Sequence, residues 1–170
     1  MDIDRYLHRL GLDAPPPATR QGLADLQAAH RLAIGFENLD IPLGRGIRID
    51  SASVFDKLVL RGRGGYCFEH NRLYADALAA LGIANPPLLA RVRLGVAPDV
   101  TPPRTHVCLL AELEGRSWLA DAGFGGSNVP PLPIEDGVEA RTDDGARHRL
   151  RRTGDPGCLG GQWTLERAGP

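Results

Sequence analysis

At 170 residues the chain is long enough for one compact domain, or two small ones, built on a real hydrophobic core. Its 20 Lys and Arg balance 21 Asp and Glu to a net charge of −1, which leaves no electrostatic footprint for nucleic acid or an anionic membrane surface. Three cysteines (Cys67, Cys108 and Cys158) without framework spacing argue against a secreted disulfide scaffold, and no C-x-x-C or H-x-x-x-H pair calls for zinc or another metal.

The first residues, Met1-Asp2-Ile3-Asp4-Arg5, lack the basic-then-apolar order of a signal peptide, and no run is long enough to span a bilayer. A reduced, cytoplasmic protein is expected. Asp2 or Asp4 caps a short helix carrying Tyr6, Leu7 and Leu10 and stopped at Gly11. After a stiff connector at Pro15-Pro16-Pro17, Thr19 caps a second helix with Leu23, Leu26, His30 and Ile34 on one face. A third helix over Ser51 to Leu60 carries Val54, Phe55, Leu58 and Val59. A fourth begins at Cys67, continues through Leu73, Ala77, Leu78 and Leu81, and ends at Gly82.

Beyond Asn85-Pro86-Pro87 the pattern turns to strands. Leu88 to Val96 reads as the first, followed by a loop through Pro98, Pro102 and Pro103. Thr105 to Leu113 and Arg116 to Asp121 form a hairpin about Glu114-Gly115, with weaker strands near Arg147 to Arg152 and Gln162 to Leu165. The alternating Arg147, Arg149 and Arg151, with Arg152, read as a solvated strand face. The stretch from Gly125 to Gly145 reads as a surface loop. This is an α+β fold: a helical half over 1–85, then a sheet half over 86–170.

Chemistry concentrates at Arg61-Gly62-Arg63-Gly64-Gly65-Tyr66-Cys67-Phe68-Glu69-His70-Asn71. This places Cys67 in the first turn of a helix, where unpaired N–H groups and the helix dipole stabilise a thiolate. Faster alkylation by iodoacetamide at Cys67 than at Cys108 or Cys158 is the expected consequence. The thiolate needs a base. His70 lies three residues on, but nothing in the sequence orients its ring. His106 opens an apolar strand, and Asp121 ends the strand that pairs back against it about the Glu114-Gly115 turn. A carboxylate beside an imidazole fixes its tautomer and stabilises its charged form, which in turn stabilises the thiolate. Cysteine on a helix, with histidine and aspartate following on a sheet, is the order of papain-like thiol enzymes. It supports acyl transfer through a thioester on Cys67 and leaves donor and acceptor open.

The segment Arg63-Gly64-Gly65-Tyr66-Cys67-Phe68-Glu69 resembles the active-site signature of the arylamine N-acetyltransferases. Asp2-Ile3-Asp4-Arg5-Tyr6-Leu7, Phe36-Glu37-Asn38-Leu39-Asp40, Thr105-His106-Val107 and Asp121-Ala122-Gly123-Phe124-Gly125 agree with that family in order and spacing. The resemblance implies a catalytic triad of Cys67, His106 and Asp121. It implies ping-pong chemistry, in which Cys67 takes an acetyl group from acetyl-CoA and an arylamine, arylhydrazine or arylhydroxylamine accepts it, as in xenobiotic metabolism. It implies a helical first domain, 1–85, bearing the nucleophile and a β-barrel second domain, 86–170, bearing His106 and Asp121. Phe36, Phe68, Thr105, Phe124 and Gly125 are the candidate substrate-binding residues, and Glu37 with Arg63 a structural ion pair before Cys67.

Family members continue into an α/β lid, whereas this chain ends at Pro170, within or just after the sheet half. The expectation is either a shortened form or a naturally short homologue, with apolar surface left for self-association. A macrolactam-forming amide synthase of the same fold, a thiol hydrolase or transglutaminase, and a triad-bearing domain without acetyltransferase activity are the alternatives.

Overall fold

In the computed structural model, which describes residues 1–97, 99–157 and 161–169, helices form where cap chemistry and an apolar face coincide. α1 (Ile3–Leu10) begins where Asp2 Oδ1 accepts the Arg5 N–H at 3.1 Å, and it stops at Gly11. α2 (Arg20–Ala33) begins where Thr19 Oγ1 accepts the Gly22 N–H at 3.2 Å, and it buries Leu23, Leu26, Gln27 and His30. α3 (Ser51–Phe55) is capped by Asp50 and runs on through a wide π turn, Asp56–Leu60. That turn buries Lys57, Leu58 and Val59 in succession. α4 (Cys67–Ala80) has Cys67 as its first helical residue, and Glu69 Oε2 turns back to accept the Tyr66 N–H at 3.1 Å.

The strands form two antiparallel sheets among the described residues. β1 (Pro87–Arg91), β2 (Arg104–Leu113), β3 (Arg116–Ala120) and β4 (Leu132–Pro133) lie in that order in one. β5 (Glu139–Arg141), β6 (Arg147–Arg152) and β7 (Trp163–Ala168) make the other. The predicted hairpin is present: Leu113 faces Arg116 and Leu109 faces Ala120. Its turn residues, Glu114 and Gly115, have φ of 54° and 71°, the positive values that let a two-residue turn follow the strand twist. β1 is shorter than the expected Leu88 to Val96, because its register with β2 breaks between Ala90 and Arg91. Pro98, assigned to the following loop, lies outside the described residues. On β6 the arginines face solvent while His148 and Leu150 point inward, as the alternation predicted.

Two sequence expectations need correction. The sheet half does not close into a barrel: among the described residues no ladder joins β4 to β5. Pro130, Pro131 and Pro133 crowd this passage, and prolines bring no N–H to extend a ladder, so β4 stops at two residues. Nor is 125–145 only a surface loop. It contributes β4 and β5, and its Val129 and Leu132 form a small core with Leu150. Two apolar residues separated by Pro130 and Pro131 are too few to establish a strand or helix period, so periodicity cannot find them.

The main core runs across residue 85. Leu109, Ala111, Leu113, Trp118 and Ala120 from β2 and β3 share one buried cluster with residues of all four helices, including Tyr6, Leu26, Val54 and Leu73. That shared core holds the start of α4 against the end of the β2–β3 hairpin. Among the described residues no helix is long and apolar enough to cross a membrane.

Candidate active site

The loop before α4 is fixed from two sides. Glu37 N–H donates to Gly65 O at 2.8 Å and Gly65 N–H to Gly35 O at 3.1 Å, so the segment after α2 lies alongside the glycines that precede Cys67. Beneath it, buried Lys57 reaches Asp40 Oδ2 and Glu69 Oε1, both at 2.8 Å, with Glu37 Oε1 at 3.7 Å. Arg63 donates to Glu37 Oε1 at 2.7 Å and Asp40 Oδ1 at 2.9 Å, and Arg45 lies 3.6 Å from the same Asp40 oxygen, so the ion pair expected from sequence is enlarged to a network of six side chains. Hydrogen bonds from Lys57 and Arg63 hold the Asp40 carboxyl down at about 2.

Cys67 is buried, and its thiol points to the Thr105 carbonyl at 3.8 Å, at the mouth of β2. The next residue, His106, is also buried and meets Asp121 Oδ2 through Nε2 at 2.6 Å. In the ladder register Leu109 faces Ala120, so His106 and Asp121 are diagonal neighbours across the open end of the hairpin. A carboxylate can only accept, so Nε2 carries the proton and Nδ1 is the nitrogen left for the cysteine. Burial alone would lower the His106 pKa. The hydrogen bond donated to Asp121 and the interaction with Cys67 outweigh it and raise the value to about 9.

This shift links the site to stability. The folded ring binds its proton more tightly than an unfolded histidine, whose ordinary value is about 6.5. Its contribution is therefore complete below about pH 6.5 and is lost as pH rises through about 9. Urea midpoints should fall across that window in the wild type and stay level there in His106→Ala; equal declines in both would refute the assignment.

Phe124 approaches the His106 ring edge-on, with centroids 5.1 Å apart and planes at 84°. Phe36 is half exposed and packs on Gly125, where a Cβ would come within 2.9 Å of its ring. Phe68 turns toward Tyr66 at 5.6 Å, and Thr105 is exposed beside the cysteine. Of the predicted substrate-binding residues, Phe36, Thr105, Phe124 and Gly125 therefore come to one rim, while the Phe68 ring is engaged within its own segment. Gly123 lies directly on the nucleophile's backbone: a Cβ there would sit 2.9 Å from Cys67 O and 2.7 Å from Asn71 Nδ2.

Sequence reading missed two groups. Asn71, one turn beyond Cys67, donates to Asp121 Oδ1 at 2.9 Å and to Val107 O at 2.7 Å, and accepts the Ala122 N–H at 3.0 Å. A buried asparagine at i+4 from the cysteine was the available signal. The second is a chain of aromatic hydrogen bonds: Tyr6 Oη to His30 Nδ1 at 2.9 Å, His30 Nε2 to His70 Nδ1 at 2.9 Å, and His70 Nε2 to Gly35 O at 3.2 Å. His70, which the sequence left without an orienting partner, is thus held at both nitrogens and is committed away from Cys67. Burial lowers the pKa of both rings, His30 strongly, and one neutral tautomer of each satisfies every bond in the chain.

Cys108 differs sharply from Cys67. Burial, and then the negative charge of Asp121, push its thiol up to about 12. At pH 7 iodoacetamide should modify Cys67 at least about tenfold faster than Cys108, since thiolate fraction falls tenfold per unit of pKa. Equal rates in a peptide-mapping time course would contradict this. Cys158, the third cysteine of that expectation, lies outside the described residues.

A cysteine at a helix N-terminus, facing a histidine–carboxylate pair on an adjoining antiparallel sheet, defines the papain-like class of thiol fold. The profile of the N-acetyltransferase family matches residues 20–169. The chain belongs to that family, and its relatives are arylamine N-acetyltransferases. It is 41% identical over 158 residues to the arylamine N-acetyltransferase / N-hydroxyarylamine O-acetyltransferase of Salmonella typhimurium, an alignment covering 92% of this chain and 56% of that protein. A solved arylamine N-acetyltransferase from Salmonella typhimurium superposes with a TM-score of 0.88 at 37% identity, over 98% of this chain and 58% of that one. The Mycobacterium marinum arylamine N-acetyltransferase in complex with CoA gives 0.85 at 36% identity, over 98% and 60%. The chain thus spans somewhat more than half the length of these relatives.

Proposed function

We propose that this chain carries the acyl-transfer centre of an arylamine N-acetyltransferase. Cys67 is the nucleophile, His106 the base and Asp121 the group that orients it. In this reading the helical segment 1–85 and the strand segment 86–170 act together, each supplying part of one centre. The Cys67 thiolate attacks the acetyl carbonyl of acetyl-CoA, the carbon–sulfur bond to CoA breaks, and His106 Nδ1–H protonates the departing CoA thiolate. The N–H groups of Cys67 and Phe68, which precede the first intrahelical bonds of α4, face the developing oxyanion. An arylamine, arylhydrazine or arylhydroxylamine nitrogen then attacks the thioester, His106 Nδ1 takes its proton, and Cys67 leaves as the thiolate. The rim of Phe36, Phe124 and Gly125 offers flat apolar contact to an aromatic acceptor.

The observation that carries this reading is the 2.6 Å contact of His106 Nε2 with Asp121, beside a cysteine that opens a helix. Mass spectrometry of the chain mixed with acetyl-CoA should show one added acetyl group on Cys67, absent in Cys67→Ala and discharged by an added arylamine. An unmodified Cys67 at saturating acetyl-CoA would overturn the proposal.

A further inference from the structure

α2 holds one residue that its apolar face does not account for. Gln27 is 2% exposed, set among Leu23, Leu26 and His30 on the side that enters the core. Both ends of its amide are occupied, and by the same loop. Oε1 accepts the Asp121 N–H at 2.9 Å, and Nε2 donates to Val129 O at 2.7 Å. These partners are the first residue of the excursion that leaves β3 and passes Phe124 beside His106, and a residue three short of its return to β4. A planar amide meets an N–H and a carbonyl together in only one orientation, so it fixes where the loop's ends lie and how they are turned.

Other side chains hold this loop, each differently. Asn71 bonds the Asp121 carboxylate itself, and Arg31 Nη1 donates to Phe124 O at 3.2 Å midway along. Gln27 touches backbone alone, at the hinge from which the Asp121 side chain departs. The contact it governs is short, 2.6 Å between His106 and Asp121, and a backbone displacement of about 1 Å there can cost about 100-fold in rate.

We propose that Gln27 is a positioning residue for the acyl-transfer centre. Through the Asp121 N–H it sets the direction from which the carboxylate meets His106, and through Val129 O it keeps Phe124 against the same ring. This rests on the Cys67–His106–Asp121 reading above.

The test measures acetylation of Cys67 by acetyl-CoA, and its alkylation by iodoacetamide as a function of pH, in wild type and three variants. In Gln27→Met, similar in volume but without either bond, acetylation should slow by about 100-fold. The alkaline limb of the alkylation profile, near pH 9 in the wild type, should move to lower pH as Asp121 loosens from His106. In Gln27→Glu the new carboxyl can bond both partners only while protonated, so activity should recover at acidic pH and fade as pH rises. Leu26→Ala, buried one residue away, should lower the melting temperature without moving the limb. A Gln27→Met profile and rate within threefold of wild type would overturn the proposal, as would an equal limb shift in Leu26→Ala. A wild-type profile with no alkaline limb would reject the triad reading itself, and this inference with it.

Discussion

Replacing Asp121 with Asn is expected to slow acetylation of Cys67 by about 1,000- to 10,000-fold while leaving the fold in place. The substitution keeps the size and the acceptor oxygen that Asn71 and the Gly123 N–H occupy at Oδ1. What changes is the atom facing His106 Nε2, which becomes an NH2 donor. The ring must then accept at Nε2 and carry its proton on Nδ1, the side toward Cys67, where it can no longer take a proton. The charged form also loses the carboxylate that raises its pKa to about 9, so the imidazolium needed to hold a thiolate fades near neutral pH. A quenched time course read by mass spectrometry measures the rate. A loss smaller than about tenfold would show that Asp121 does not set the tautomer.

The second large effect falls on stability. Lys57→Met should destabilise the fold by about 3 kcal/mol or more, because removing one partner of a buried ion pair leaves uncompensated charge. Lys57 is 6% exposed and is the cation shared by Asp40, Glu69 and Glu37. Without it, Glu37 keeps Arg63, Asp40 keeps Arg63 and the exposed Arg45, and the Glu69 oxygen that Lys57 held loses its cation. The sign with pH is fixed by the carboxyls. Asp40 is held at about 2, so in the wild type its contribution is present above the ordinary carboxyl range and is lost as pH falls toward 2. The gap between variant and wild type should therefore narrow as pH falls, since the wild type loses this contribution on acidification. Urea unfolding at several pH values tests both points, and a constant gap would argue for lost packing instead of charge.

Much of the site was legible because its determinants are local. Asp2, Thr19 and Gly82 punctuate helices by cap chemistry that acts over three or four residues. The diagonal meeting of His106 and Asp121 follows from strand alternation and a two-residue turn at Glu114-Gly115, so residue counting alone recovers it. Nothing comparable ties Tyr6 to His30 and His70, or Gln27 to both Asp121 and Val129. Those contacts join elements that only the shared core brings together, and polar residues on buried faces announce that a partner exists without saying which. The barrel failed for a different reason: strand propensity marks which segments extend, whereas closure depends on β4 having enough N–H groups to pair onward, and prolines remove them. The second small core escaped because Val129 and Leu132, with two prolines between them, are too few to mark a strand or a helix.

Lys57 has one more consequence, for labelling chemistry. It is the only lysine in the sequence, and its amine is enclosed by three carboxylates. On the folded chain an amine-reactive ester therefore finds this side-chain amine closed off. The Lys57 amine becomes available only when the segment before Cys67 opens. Slow labelling at Lys57 therefore times the opening of that segment.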